Sequence, residues 1–272
     1  MGILIFGIII IIAGAVCFYL KRSEEGTLMA LSLTETYEIA KLKHLSEQIN
    51  AEIGKGSFKQ LVEVRGKIEC DSPLCADISK QPCVYYKCNV RAEYEEEYFE
   101  EDPQTKNRVR KTRTEYETLS DINRDTYFFV NDGTGKIKIN PAGAEIDCIK
   151  SIDRFEPAAS FSGTRLNIGD FFLDLQNDFL RPSERRRILG YHITEEIFNL
   201  NKNVFVLGEI SDSMGELMIG KSTEKNGRFI ITNKSEDELR REAESGVKTY
   251  DIISKVCFIL GIIMTIYGAI KR

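Results

Sequence analysis

The sequence predicts a mainly β protein: a single barrel- or sandwich-like antiparallel β domain flanked by two transmembrane α-helices. The first observation is a long apolar run at each end of the chain. The second is a series of about eight short segments between those runs, in which apolar and polar residues alternate and turn residues intervene. Alternation is typical of half-buried strands, and about 20 consecutive apolar residues are typical of a membrane span. The middle part of the 272-residue chain is long enough for one ordinary domain.

The first predicted span covers residues 2–20, which include no charged side chain. Such a helix is about 28 Å long, which matches the hydrocarbon core of a bilayer. The alternative is a cleaved signal peptide, which needs basic residues before its apolar region. Here Lys21 and Arg22 follow the apolar run instead, so we expect a retained anchor.

The second predicted span covers residues 252–270 and is followed by Lys271 and Arg272. Its uncharged part begins at Val256 and is about 22 Å long. Lys255 lies one turn inside the span and can extend its side chain to the headgroups. A buried helix of a soluble protein is the alternative, but the segment has no polar face, which favours a membrane span.

Paired glycines suggest that the two spans touch. Gly7 and Gly14 are two helical turns apart, as are Gly261 and Gly268. Each pair therefore lies on one face of its helix, where a second backbone could approach closely. Glycine is also common in membrane helices without such contacts, so the contact between spans is a hypothesis.

Lys and Arg near the span ends predict the orientation. More of them lie on the side of the β domain than on the side of the termini: Lys21, Arg22, Arg240, Arg241, Lys248 and Lys255, against Lys271 and Arg272. We therefore expect an integral membrane protein whose soluble domain is cytoplasmic and whose termini both lie on the opposite side.

Between the spans we expect three segments. Residues 34–52 are spaced as a juxtamembrane helix with Thr34 as its N-cap. Residues 57–232 carry the β domain. Residues 235–246 form a connecting helix, because Ser235 and Glu238 have the spacing of a capping box; a break at Gly246 would separate it from the second span.

The clearest strand signal runs from Val84 to Tyr98. Its predicted buried face consists of Val84, Tyr86, Cys88, Val90, Ala92 and Tyr94. A second alternating run follows at residues 113–118, so an acidic arm (residues 93–102) precedes the turn and a basic arm (residues 106–113) follows it. A hairpin would bring the opposite charges together. It would serve either as a docking finger or as a solvated, self-neutralising hairpin, and we favour the second.

Further strands are predicted around an Asp-Gly turn, with residues 127–130 and 136–139 flanking Asp132-Gly133. Four more follow at residues 191–198, 204–210, 216–219 and 229–232. The segment 154–182 has no clear periodicity. We expect its aromatic residues to fill the core, with an apolar groove for a peptide as the alternative: Phe155, Phe161, Phe171, Phe172 and Phe179.

No catalytic, cofactor-binding or metal-binding residue is predicted. Cys70, Cys75, Cys83 and Cys88 form a C-x4-C-x7-C-x4-C series, but structural zinc usually needs closer pairs. Zinc, a disulfide and ordinary core cysteines are the three interpretations, and the last is favoured, since with Cys148 the count outside the spans is odd.

The remaining candidates for chemistry are also weak. His44 and His192 have no sequence neighbour that suggests a nucleophilic pair, and Gly133 and Gly135 lack the context of a phosphate loop. The net charge of −5 without a basic patch argues against nucleic acid as a partner. We expect the lipid bilayer and a protein as partners, and we identify no small-molecule substrate.

Several segments together resemble the GIDE (or BAM, beside-a-membrane) domain family. They are Val62–Gly66, Ser72-Pro73, Pro82–Tyr86, Phe129–Gly135, Pro141–Ala144, Gly190–Glu196 and Val206–Glu209, followed by the helix that Ser235 begins. The resemblance covers about residues 57–270, and the order of the segments is more specific than any one of them.

The resemblance implies a β domain between two spans, as in mitochondrial outer-membrane ubiquitin ligases that carry a RING finger after the second span. Because this sequence ends at Arg272, we expect it to lack the RING. Two functions are therefore predicted. The first is a membrane-anchored recognition or scaffold module, and the alternative is a RING-type ubiquitin transferase family member that acts with a partner RING.

Overall fold

The computed structural model describes residues 2–101, 104, 106–158, 165–168, 171–174, 186–200, 202–213, 215–222 and 227–271. Its helices are α1 (Gly2–Leu33), α2 (Ile39–Glu52) and α3 (Glu236–Ile270). Its strands are β1 (Lys59–Glu69), β2 (Leu74–Cys75), β3 (Pro82–Glu101), β4 (Arg108–Asp125), β5 (Phe128–Asn131), β6 (Lys136–Ile139), β7 (Glu145–Ile146), β8 (Ile149–Pro157), β9 (Arg165–Ile168), β10 (Phe171–Asp174), β11 (Arg186–Asn199), β12 (Asn203–Ser211), β13 (Met218–Gly220) and β14 (Ile230–Thr232).

The predicted fold class is confirmed: the described chain is mainly β and has an apolar helix at each end. Two details go beyond the prediction. One pairing, β6 with β13, is parallel, whereas the sequence predicted antiparallel strands throughout. The strands also divide between two compact units. The chain leaves the first unit after residue 67 and again after residue 145, and it forms the second unit from these two segments. We call residues 1–67, 130–145 and 203–272 the anchor unit, and residues 68–129 and 146–202 the sheet unit.

The anchor unit contains a closed ring of strands in the order β1-β5-β6-β13-β12, in which β12 pairs back onto β1. A sheet that closes in this way leaves no open edge between its members. The long antiparallel pair of β1 and β12 places Val64 opposite Val206. The interior is filled by fully buried aliphatic side chains, among them Val62, Val64, Ile137, Ile139, Val206 and Ile219.

Both terminal helices are longer than a membrane span. α1 continues to Leu33, so Thr34 donates from Oγ1 to the Ala30 carbonyl oxygen at 2.6 Å and completes α1. The predicted N-cap at Thr34 is therefore wrong, and α2 begins later, at Ile39. Ser235 and Glu238 form the predicted capping box of α3. This helix runs unbroken past Gly246.

The sheet unit is built on an antiparallel sheet in which the strands lie side by side as β4, β3, β11 and β8, with β2 beside the start of β3. The predicted buried face of β3 is confirmed, since all six residues from Val84 to Tyr94 on that face are buried. Four of them, Tyr86, Cys88, Val90 and Ala92, pack with buried residues of β11: Tyr191, Ile193 and Ile197.

The segment 154–182 differs from the prediction where it is described. Phe155 lies in β8 and is 44% exposed, so it does not fill the core. Phe171 and Phe172 belong to β10, whose side chains are outside the description, and Phe161 and Phe179 lie outside the described residues.

Candidate functional site

The first candidate is the pair of terminal helices, which pack against each other through small residues. A Cβ atom at Gly7 would lie 2.5 Å from Thr265 Oγ1, and one at Gly261 would lie 2.6 Å from Ile11 Cγ1. Gly14 and Gly268 make similar contacts, so the hypothesis of a glycine-faced contact is confirmed. Only at a residue without a side chain can two helices approach this closely.

The opposite faces of the two helices are apolar and exposed. Large aliphatic side chains such as Ile9 on α1 and Ile263 on α3 are 54% and 58% exposed. Both helices are long and apolar enough to cross a membrane. Because exposed apolar surface of this extent is costly in water, the pair is suited to contact with lipid.

Charged side chains follow directly on the apolar part. Asp251 of α3 accepts hydrogen bonds from Lys21 at 2.8 Å and from Lys255 at 2.6 Å. Lys21 also lies 3.5 Å from Glu25. These ion pairs join α1 to α3 at the position where the predicted spans end.

Beyond these ion pairs, α1 and α3 continue into the barrel of the anchor unit. Ala30 and Leu31 of α1 are buried against Phe205, Leu207 and Ile230. The helices therefore share a hydrophobic core with the strands.

A buried carboxylate reinforces this junction. Glu63 of β1 is 1% exposed and accepts a hydrogen bond from Thr36 Oγ1 at 2.6 Å. Arg65 donates to Glu63 at 3.0 Å and, from the same guanidinium, to Glu236 in the first turn of α3 at 3.0 Å. Charged hydrogen bonds of this kind are short and directional, so they fix the start of α3 on the barrel.

The Asp-Gly turn predicted from the sequence has a role that the sequence did not indicate. Asp132 Oδ2 accepts from the backbone N–H of Ile39 at 2.8 Å, and Thr134 Oγ1 accepts from Ala40 at 3.2 Å. Glu38, at the N-cap position of α2, makes no side-chain hydrogen bond to the helix. The Asp-Gly turn supplies the capping bonds instead. Burial alone would raise the pKa of Asp132, but the hydrogen bonds from Ile39, Thr134 and Gly135 outweigh it and lower the pKa.

The second candidate lies on the sheet unit, at residues 190–196 of β11. Their alternate side chains point to opposite faces of the sheet. On the buried face, Glu195 is fully buried and accepts from the backbone N–H groups of Ile78 at 2.7 Å and Ser79 at 3.0 Å. It holds the turn that follows β2, so its role is structural.

On the other face, His192 lies beside an acidic group and two aromatic rings. Its Nε2 is 2.7 Å from Glu93 Oε2 on β3. The ring centroids of Phe155 and Tyr116 lie 4.9 Å and 5.8 Å from that of His192. Gly190 gives space for the Phe155 ring, which a Cβ at that position would overlap. We call Glu93, Tyr116, Phe155 and His192 the aromatic–histidine surface.

This surface is accessible to a partner. Phe155 is 44% exposed, Tyr116 is 55% exposed, and the His192 side chain is 35% exposed. From the sequence, His192 was only a weak candidate for chemistry. The surface was not predicted because Glu93, Tyr116 and Phe155 come from three other strands.

The hairpin of β3 and β4 has the cross-strand charge pairs expected of a self-neutralising hairpin. Arg113 contacts Glu96 at 2.8 Å, and Arg110 and Lys111 contact Glu97 and Glu100. Residues 102, 103 and 105, in the predicted turn, lie outside the described residues.

Three cysteines of the sheet unit, Cys83, Cys88 and Cys148, are poor nucleophiles. Burial, aided by the charge of Glu195, raises the pKa of Cys83 to about 11 and that of Cys88 to about 12. Burial likewise raises the pKa of Cys148 to about 12. A thiol with such a pKa is almost entirely protonated at neutral pH, whereas thioester chemistry and metal binding need the thiolate.

Among the residues that the structure describes, no group of three or more His, Cys, Asp and Glu side chains is placed to hold a metal ion. All seven cysteines are free. That the protein uses no metal, cofactor or catalytic residue stays a prediction.

The fold and these surfaces define a class: a β protein with an accessible sheet face and two paired helices that are long and apolar enough to cross a membrane. The family model GIDE, described as E3 ubiquitin ligase, matches residues 96–267. This is more than half of the chain, and the chain belongs to the GIDE family. The match begins after three of the segments on which the resemblance was based, those between Val62 and Tyr86. Comparison with curated proteins and with solved structures finds no match.

Proposed function

We propose that this protein is a membrane-anchored recognition module that binds a protein partner beside the bilayer through the aromatic–histidine surface. The observation that supports it most is the His192–Glu93 pair between two half-exposed rings. Aromatic side chains supply much of the binding energy at protein interfaces because they bury a large area and lose little conformational entropy. The hydrogen-bonded pair of His192 and Glu93 adds polar groups of fixed direction, which a purely apolar surface lacks.

Site-specific photo-crosslinking in native membranes tests this function. A photoreactive phenylalanine analogue at Tyr116 or at Phe155 should give the same discrete adduct. The matched control is Tyr127, which is 51% exposed and lies outside the four strands that form this surface, β3, β4, β8 and β11. His192→Ala should reduce the adduct at both test positions. Equal adducts at Tyr127, or none at either test position, would contradict the proposal.

The second candidate function is ubiquitin transfer, which the description of the family model favours. We expect this chain by itself to give no ubiquitin chains above background with activating and conjugating enzymes. The raised pKa values of Cys83, Cys88 and Cys148 support this expectation. Activity that disappears when one cysteine is replaced would make the chain a thioester ligase, and activity that requires an added RING protein would favour the scaffold role.

We also propose that the β region is cytoplasmic, from the distribution of Lys and Arg around the spans. Cys75 is an exposed thiol and is the suitable reporter, whereas the raised pKa of Cys148 makes it a slow one. An impermeant thiol reagent should label Cys75 only after the membrane is opened. Labelling of Cys75 in intact cells would place the β region on the other side.

A further inference from the structure

The outer edge of β4 is open in the described part of the chain. β4 pairs with β3 along its whole length, from Arg108 opposite Glu101 to Asp125 opposite Tyr85. No other described strand pairs with its second edge. Most of its side chains are exposed. Such an edge presents backbone N–H and C=O groups that another strand can bind.

The charges of β4 are separated along the strand. Its first part is basic, with Arg108, Arg110, Lys111 and Arg113. Its second part is mainly acidic, with Glu115, Glu117, Asp121 and Asp125 against one arginine, Arg124. Two copies of such a strand attract each other when they run antiparallel and repel each other when they run parallel. Charges on an edge strand usually prevent association, but this arrangement is self-complementary.

We propose that two copies of this chain associate through the β4 edge, antiparallel and centred on Thr114, so that their sheets become one. In this register Arg113 of each copy lies opposite Glu115 of the other, and Lys111 lies opposite Glu117. Opposite charges at directly facing positions stabilise a strand pair, and like charges destabilise it.

The geometry of the strand favours the same register. The pairing of β3 with β4 shifts between Val90 and Arg91, opposite the step from Ser120 to Thr118. Residues 110–118, which the proposed register would pair, all lie on the regular side of that shift. Arg113 and Lys111 also contact glutamates of β3 within the chain, so the second copy would add a further carboxylate beside each of them.

Cysteine crosslinking of the full-length chain in lipid bilayers tests the register. Thr114→Cys should form a disulfide-linked dimer under mild oxidation, because the two substituted positions would have Cβ atoms about 5 Å apart. Thr118→Cys is the matched control on the same face of the strand. In the proposed register its two copies are about 26 Å apart. The unsubstituted chain, with its seven cysteines, sets the background.

Charge reversal tests the attraction independently. Lys111→Glu and Glu117→Lys should each weaken dimerisation about tenfold or more, because two opposite-charge pairs become like-charge pairs. Mixing the two variants should restore it, since each reversed charge then meets an opposite one. This rescue distinguishes a lost interface from a misfolded hairpin.

A monomeric chain in bilayers, equal disulfide yields at 114 and 118, or no rescue on mixing would overturn the proposal. Photo-crosslinking at Phe155 of β8 tests the aromatic–histidine surface separately, whereas Tyr116 lies within the segment of β4 that two copies would pair.

Discussion

The two compact units use charged side chains in different ways. The anchor unit buries a few of them: Glu63 and Asp212 are 1% and 6% exposed, and both accept hydrogen bonds from groups of neighbouring segments. The sheet unit buries Glu195 but places most of its charges along the exposed hairpin of β3 and β4. Buried, fully bonded charges fix geometry, whereas exposed pairs contribute little to stability. The buried carboxylates of the anchor unit therefore fix its local geometry, whereas the charges of the β3–β4 hairpin remain exposed to solvent.

The largest effect is expected at Glu195, the buried carboxylate of the sheet unit. Glu195→Ala leaves the N–H groups of Ile78 and Ser79 without their acceptor, and each such group costs about 1–3 kcal/mol. Hydrogen exchange should show faster opening of the turn after β2. Glu196→Ala, its half-buried neighbour, is the control. Equal exchange in both variants would mean that Glu195 does not hold the turn.

The next effect concerns the helix pair of the anchor unit. Gly261→Leu would place a side chain against Ile11 and the Gly7 carbonyl oxygen, and overpacking of this kind typically costs about 1–3 kcal/mol. The variant should unfold at a lower temperature in detergent micelles. Gly2→Leu is the control, because no atom lies within 4 Å of a Cβ there. Equal melting temperatures would show that the helices do not pack through these glycines.

A smaller effect is expected at Asp132, which caps α2 from another part of the chain. Asp132→Ala should destabilise α2 by about 0.5–2 kcal/mol, as for other N-caps. Hydrogen exchange at Ile39 and Ala40 measures it. Asp153→Ala, an exposed aspartate of the sheet unit, should leave those amides unchanged.

The same residue predicts a pH dependence. Because the pKa of Asp132 is lowered in the fold, its charge stabilises the protein above the unfolded-state pKa of about 4. That contribution is lost as the pH falls through the lower, folded-state pKa. The stability difference between the wild type and Asp132→Asn should therefore shrink below about pH 4. If this stability difference does not change with pH, the charge of Asp132 does not contribute to the stability of the fold.

The smallest effect is expected at the hairpin of the sheet unit. Arg113→Ala removes an exposed contact with Glu96, and exposed pairs are screened by water and salt. Thermal unfolding of the variant should match that of the wild type in high salt. A large loss of stability would show that the hairpin fixes the fold of the sheet unit as buried charges fix that of the anchor unit.

What the sequence predicted correctly depends on neighbours along the chain. The capping box of Ser235 and Glu238 spans three residues, and the alternation of β3 is visible within one strand. The glycine pairs were recognisable because a helix brings residues seven apart onto one face.

What the sequence did not predict depends on distant partners. Asp132 caps a helix that begins more than ninety residues earlier in the chain, and no pattern near Ile39 indicates it. Thr34 has the right residue type for an N-cap, but α1 extends far enough to use it. His192 alternates with apolar neighbours along its strand, a pattern that indicates no function. Its contacts with Glu93 and Phe155 follow only from the pairing of β11 with β3 and β8.

The unbroken course of α1 and α3 from the apolar segment into the barrel has a mechanical consequence. The 32 residues of α1 span about 48 Å, of which a bilayer core takes up about 30 Å. The rest of α1 extends beyond the bilayer core. It is held rigidly because ion pairs join it to α3 and a shared core joins it to the strands. Helices tilt when the bilayer is thinner than their apolar length. A change in bilayer thickness would therefore tilt the helices and the barrel together. The angle of the barrel to the membrane would then depend on the lipid composition.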